Sequence, residues 1–150
     1  MIARWLLAAL HLLGLGIGLG SVWARGRALS GSLDTAGVKR VLASDTWWGI
    51  AALVWISTGL TRAFGGLEKG AAYYLHNHFF LTKMGLLVVL LVLELRPMLS
   101  FIGWRRQLAH GQQPDTRAAR ALARISFVEA GLVVLMVIAA TGMARGLGTP

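Results

Sequence analysis

Residues 5–25 read WLLAALHLLGLGIGLGSVWAR, and this stretch decides the fold. Twenty of its residues are uncharged at neutral pH. His11 lies in the first half of the stretch, and Arg25 is its last residue. A helix needs roughly 20 mostly apolar residues to cross a hydrocarbon core about 30 Å thick. The stretch therefore predicts a transmembrane helix that carries one histidine within it and one arginine at its end.

Glycines recur at a four-residue spacing along this predicted helix. Gly14 and Gly18 form one pair, and Gly16 and Gly20 form another. In lipid, small residues at this spacing let two helix backbones approach closely. We therefore expect the first helix to lie at the centre of the molecule.

Three further apolar runs follow in a chain of 150 residues that is 56% hydrophobic and 14% charged. Their lengths predict an all-α protein, a single transmembrane domain built as a four-helix bundle. Ser44 or Asp45 would cap the second helix. The chain has no cysteine, which excludes disulfides and thiolate metal sites. The predicted spans are approximately residues 2–23, 47–64, 79–103 and 125–144.

Basic residues concentrate in the first and third gaps between these runs, and the net charge is +9. This is the positive-inside pattern, which predicts a multi-pass protein of the bacterial inner membrane with both termini outside. Anionic lipid headgroups at the cytoplasmic face are the expected partner of these residues, rather than nucleic acid. The residues are Arg25, Arg27, Lys39, Arg40, Arg105, Arg106, Arg117, Arg120 and Arg124.

The first run also has some features of a cleaved signal peptide, because Arg4 precedes an apolar stretch that ends in Ser-Val-Trp-Ala. Two features favour retention instead. The run is long enough to span the membrane, and the positive charge that follows it outweighs the single arginine before it.

Ionisable side chains inside a membrane are costly, so each calls for a partner or a role. In the predicted topology His11 lies about 12 Å and Lys83 about 6 Å below the outer surface. We expect these two residues to face a common interior site. The alternative is that Lys83 extends to the interface and that His11 only bonds a neighbouring helix.

Two glutamates, Glu94 and Glu129, fall in the inner half of the predicted bundle. An unpaired carboxylate at this depth is strongly disfavoured. Arg25 is the expected partner of both, with Arg96 and Arg124 as alternatives, which gives a structural charge cluster. A proton path, or a site for a cationic group, is the other interpretation.

His76 and His78 form a His-x-His pair in the loop before the third helix. Neutral imidazoles bind zinc, copper or haem iron. This pair, and separately His11, are therefore candidate metal ligands, although no neighbouring carboxylate or cysteine completes a set.

Nearly the whole chain resembles a family of uncharacterised small bacterial membrane proteins, which is a domain of unknown function. The resemblance rests on four segments, at residues 48–55 (WGIAALVW), 62–70 (RAFGGLEKG), 73–77 (YYLHN) and 143–146 (MARG).

More distantly, the layout resembles the four-helix membrane protoporphyrinogen oxidases and the copper-resistance D proteins. The matching positions are His11, Gly20, Arg25, Lys83 and Glu129. This resemblance implies haem b or a porphyrin as cofactor. It implies that His11, Lys83 and Arg25 bind the cofactor and that Lys83 is catalytic.

Two functions from different classes follow. The first is an inner-membrane protein associated with haem or a porphyrin, with a redox role. The second is a non-enzymatic accessory or assembly subunit, or a helper in metal-ion homeostasis, which would pack against a membrane-protein partner or a second copy. The sequence leaves open whether the protein is an enzyme.

The predicted topology is tested with reporter fusions placed after Gly31 and after Gly111. Both fusions should report a cytoplasmic position, because they follow the basic gaps. A periplasmic signal from either fusion would contradict the predicted orientation.

Overall fold

The computed structural model describes residues 1–65 and 75–147 of the chain. Parts of two segments that carry the family resemblance, residues 66–70 and 73–74, lie outside the described residues. Within the described ranges the chain is helical and has no strand. The all-α, four-helix prediction is confirmed. The helices are α1 Ile2–Leu29, α2 Thr35–Phe64, α3 His78–Ala109 and α4 Ala119–Ala144.

Side-chain caps fix where two of the helices begin. The Asp34 carboxylate accepts a hydrogen bond from the Gly37 amide at the start of α2, and the Asn77 side chain accepts one from the Phe80 amide at the start of α3. Such caps satisfy amides that have no partner within the helix. The prediction that Ser44 or Asp45 caps the second helix is wrong, because α2 begins at Thr35 and Asp45 lies inside it.

Three helices, α1, α3 and α4, are long and apolar enough to cross a membrane. Helix α2 has 30 residues, which is also long enough, but its apolar half is interrupted by the polar pairs Ser57-Thr58 and Thr61-Arg62. The crossing of the membrane by α2 therefore stays a prediction.

Helix α1 packs against both α2 and α4, and α3 packs against α4. Two glycines of α1 face α2 at close range. A Cβ atom added at Gly14 would lie 3.1 Å from the Trp55 backbone nitrogen, and one added at Gly18 would lie 3.3 Å from the Trp48 ring. The glycine face predicted to pack closely therefore lies against α2, and α1 has two helix neighbours, as does α4.

The two larger apolar clusters among the described residues lie at different depths in the interior. The inner one has Val38, Phe101, Trp104 and Leu122 among its buried residues, and the other has Val22, Trp55, Leu90 and Met136. Large apolar side chains on the outer faces remain exposed, among them Leu12, Leu53, Leu99 and Ile138. An outward apolar surface of this kind is expected where lipid surrounds the helices.

The substitution Gly14→Leu should destabilise the protein by about 1–3 kcal/mol, because the new side chain would meet the α2 backbone at Trp55. The measurement is thermal unfolding in detergent. Gly85→Leu is the matched control, since Gly85 is exposed on α3 and a Cβ there meets nothing within 4 Å. Equal stability of the two variants would show that α1 is not tightly packed.

Candidate functional site

A buried guanidinium, that of Arg25, lies where the four helices meet. Its side chain has no exposed surface, and it forms ion pairs with one carboxylate from each of the other helices. The nitrogen–oxygen distances are 2.9 Å to Asp45 of α2, 2.8 Å to Glu94 of α3 and 2.6 Å to Glu129 of α4. We call these four side chains, together with Arg105 and Ser126, the inner cluster.

Every N–H of the Arg25 guanidinium is used. Nε donates to the Ser126 hydroxyl at 3.0 Å, and Nη1 donates to Asp45 and to Glu94, both at 2.9 Å. Nη2 donates to Glu94 at 2.8 Å and to Glu129 at 2.6 Å. The contact with Glu94 is bidentate, which is the strongest geometry that an arginine offers to a carboxylate. A guanidinium has five such donors, so Arg25 retains none for a ligand.

The inner cluster continues towards the bundle surface through Asp45. Arg105 of α3 donates to the second oxygen of this carboxylate at 3.1 Å and 3.0 Å, and also to the Leu42 carbonyl. The rings of Trp48 and Phe101 lie 6.0 Å and 5.6 Å from the Arg25 guanidinium carbon. Aromatic rings at this range stabilise a cation and exclude water from it.

The ion pairs of Arg25 with Glu94 and Glu129 are those that the sequence led us to expect. The alternatives, Arg96 and Arg124, have exposed side chains. The cofactor-binding role predicted for Arg25 does not fit the structure, because its donors are all taken within the inner cluster.

Three members of the inner cluster were not found from the sequence. The sequence favours Asp45 as a helix cap and predicts that the span of α2 begins after it. Ser126 is an ordinary small polar residue with no distinguishing pattern. Arg105 was counted only as one of the basic loop residues.

A second feature, the outer cleft, lies at the other end of the bundle and has a volume of about 400 Å³. All four helices contribute to its wall. His11 and Lys83 both line it, and both also line an adjoining smaller pocket. The structure thus places these two side chains at one cavity, where the sequence predicted a common site. Other residues of its wall are Leu15, Arg62, Phe80 and Thr141.

The orientation of the His11 ring is set by α2. Nδ1 lies 3.0 Å from the Trp55 carbonyl oxygen and 3.1 Å from the Thr58 hydroxyl oxygen. A carbonyl can only accept, so Nδ1 carries a proton, and in the neutral form of the ring the lone pair is on Nε2. Gly59 makes room for this ring, since a Cβ added there would lie 3.0 Å from His11 Cε1.

The described titratable side chains of the outer cleft are all basic, namely His11, Arg62 and Lys83. Each is half-buried. The remaining described wall is mainly aliphatic and aromatic. A cavity with a mainly apolar wall and basic side chains suits an apolar molecule that carries a negative group.

The His-x-His pair does not form a metal centre with other described residues. His76 and His78 are both exposed. Across residues 1–65 and 75–147, no three side chains of the types His, Cys, Asp and Glu come close enough to hold a metal ion. The metal role predicted for His11, His76 and His78 therefore has no three-ligand site in these ranges.

Replacing Arg25 with glutamine should destabilise the protein by about 3–5 kcal/mol, because the buried carboxylates would lose their shared cation. Thermal unfolding in detergent measures this loss. Arg27→Gln, an exposed position two residues further along α1, is the control and should change the stability little. An Arg25→Gln protein as stable as the Arg27→Gln protein would show that the ion pairs do not hold the bundle together.

Comparison with known proteins identifies one family. No curated protein matches the chain, and no solved structure matches it. The more distant resemblance to protoporphyrinogen oxidases and copper-resistance D proteins is not shown by these comparisons. A family model described as "Predicted membrane protein (DUF2214)" matches residues 3–148. The chain therefore belongs to this family of predicted membrane proteins, whose function is unknown.

Proposed function

We propose that this protein binds haem or a porphyrin in the outer cleft and has a redox role in the bacterial inner membrane. The observation that carries the proposal is that His11 and Lys83 line one cavity. A tetrapyrrole is a flat apolar molecule with carboxylate groups, so it needs an apolar wall and cations at the rim. Haem also needs a ligand for its iron, most often a neutral histidine.

The described residues of the cleft fit such a molecule. The volume of about 400 Å³ falls in the range of about 300–1,000 Å³ that is usual for small-molecule sites. The donation from His11 Nδ1 to the Trp55 carbonyl orients the ring and favours Nε2 as a metal ligand. Lys83 and Arg62, which both line the cleft, would supply positive charges for the carboxylates.

In this proposal the chain's own residues perform three tasks. His11 would bind the iron through Nε2, and Thr58 would help to keep its ring in place. Lys83 would pair with a carboxylate or exchange a proton with the bound molecule. Phe80 and Met136 would form part of an apolar wall, at the adjoining smaller pocket, that keeps water away from the bound molecule. Bound haem supplies one-electron chemistry, and its potential depends on this ligand and pocket.

The location proposed for the protein follows from the charges at the other end of the bundle. Each helix has an exposed basic side chain near this end. They are Arg27 on α1, Lys39 and Arg40 on α2, Arg106 on α3 and Arg120 on α4. An end of the bundle that carries exposed basic side chains favours the cytoplasmic leaflet, because the lipids there are anionic. Both termini and the outer cleft would then lie on the outer side.

Hemin titration of the purified protein in detergent tests the proposal. The parent protein should give a Soret band that shifts on binding. His11→Ala should lose hemin affinity but still bind iron-free protoporphyrin, because only the iron requires the imidazole. Lys83→Ala should weaken the binding of both molecules by about tenfold or more, through the loss of a charged hydrogen bond.

The controls are His110→Ala and Lys39→Ala, which remove the same side chains at exposed positions outside the cleft. Both controls should bind hemin like the parent. A parent protein that binds neither molecule, or an unchanged affinity in both cleft variants, would refute the proposal.

The second candidate function is an accessory or assembly subunit without enzymatic activity. It is favoured by the outward face of α1, where a Cβ added at Gly16 or Gly20 would meet nothing within 4 Å. Small residues at this spacing accept a further helix in lipid, from a partner protein or a second copy. A stable complex that is lost in Gly20→Leu, in a protein that binds no tetrapyrrole, would favour this candidate over the first.

A further inference from the structure

The inner cluster contains more carboxylates than guanidiniums. Arg25 and Arg105 face three acids, Asp45, Glu94 and Glu129. If all three acids were ionised, the cluster would hold an excess negative charge. The side chain of Glu129 has no exposed surface, so water cannot stabilise that charge there.

One oxygen of the inner cluster is left without a hydrogen bond. Glu129 Oε2 accepts from Arg25 Nη2, but Oε1 is buried and has no partner among the described residues. A buried polar atom of this kind is uncommon and requires an explanation. A protonated carboxyl group donates a hydrogen bond instead of only accepting, so a proton on this group would account for an oxygen that faces no donor.

The neighbouring acid, Glu94, binds the same nitrogen of Arg25 as Glu129 does. Glu94 Oε2 and Glu129 Oε2 accept from Arg25 Nη2 at 2.8 Å and 2.6 Å, so the two carboxyl groups lie side by side. Two ionised carboxylates can only accept hydrogen bonds, and their charges repel. Two carboxyl groups that hold one proton instead attract each other.

We infer that Glu94 and Glu129 together bind one proton, which makes the inner cluster a proton-binding site within the bundle. The proton joins the two carboxyl groups by a hydrogen bond. The remaining charges then balance, since two guanidiniums face two negative charges. This site is separate from the tetrapyrrole proposal, because none of its members lines the outer cleft.

The proton has a way to the surface through the residues that are partly exposed. The Glu94 and Asp45 side chains retain 20% and 12% of their surface, and Arg105 retains 40%. These three residues belong to α2 and α3. Exchange therefore occurs on the side of the bundle that these helices form, while Glu129 holds the proton away from solvent.

Thermal unfolding of three variants in detergent tests the inference. Glu129→Gln and Glu94→Gln each replace one carboxyl group of the pair with a neutral amide, and the other acid is then ionised. The net charge of the pair is unchanged, so each variant should have a Tm within about 2 °C of the parent. The double variant Glu94→Gln/Glu129→Gln should lose more than about 5 °C, because Arg25 would then share a single carboxylate, Asp45, with Arg105. Large losses in both single variants would mean that both acids are ionised. A stable double variant would show that neither charge matters, and either result would overturn the inference.

Infrared spectroscopy gives an independent readout at pH 7. The parent protein should show the carbonyl stretch of a protonated carboxylic acid, shifted in D2O, and each single glutamine variant should lose it. Asp115→Asn is the control and should leave the band unchanged. Hydrogen bonds from Arg117 lower the pKa of Asp115 to about 2, so this acid is ionised at pH 7 and contributes nothing to the band. Absence of the band from the parent protein would contradict the shared proton. Neither measurement depends on the binding of a tetrapyrrole.

Discussion

The Arg25 guanidinium joins α1 to the three other helices through direct ion pairs, and the inner half of the bundle is arranged around it. In hydrocarbon the apolar side chains of two helices gain little by leaving lipid for each other, so polar contacts and close packing must specify the arrangement. A fully buried arginine is strongly disfavoured unless charged partners surround it. The observed packing satisfies this condition by bringing Asp45, Glu94 and Glu129 to one point. The cost of exposing Arg25 to lipid thereby selects one arrangement of four helices.

Helix α1 carries the central residue of each of the two polar features. His11 lies in the outer cleft and Arg25 in the inner cluster, 14 residues apart, or about 21 Å along the helix. The layer between them contains Gly18 and Val22 of α1, packed against Trp48 and other apolar side chains. This layer separates a cavity whose described titratable side chains are basic from a cluster of three acids around Arg25. The outer feature offers space for a ligand, whereas the inner one offers places for protons and for structural charge.

The sequence was a good guide to residues whose placement follows from depth and helix direction. The proximity of His11 and Lys83 and the pairing of Arg25 with two glutamates could both be predicted, because an antiparallel bundle sets the depth of each residue. The sequence does not predict the ion pair of Asp45, because α2 begins 12 residues before its predicted span. An acidic residue just before an apolar run is also typical of a helix cap. Contacts such as Arg25 with Ser126, or the space that Gly59 leaves for His11, depend on the rotation of each helix. That rotation results from packing between helices, so it could not be derived from the pattern of one helix.

The central claim is that Arg25 stabilises the bundle by neutralising carboxylates from three helices. The most direct measurement compares the effect of Arg25→Gln on the free energy of unfolding in two backgrounds, the parent protein and the triple variant Asp45→Asn/Glu94→Gln/Glu129→Gln. We predict a large loss in the parent and a much smaller one in the triple variant, because the carboxylates that need the cation are absent there. An equal loss in both backgrounds would contradict the claim, since Arg25 would then act through its packing rather than through its charge.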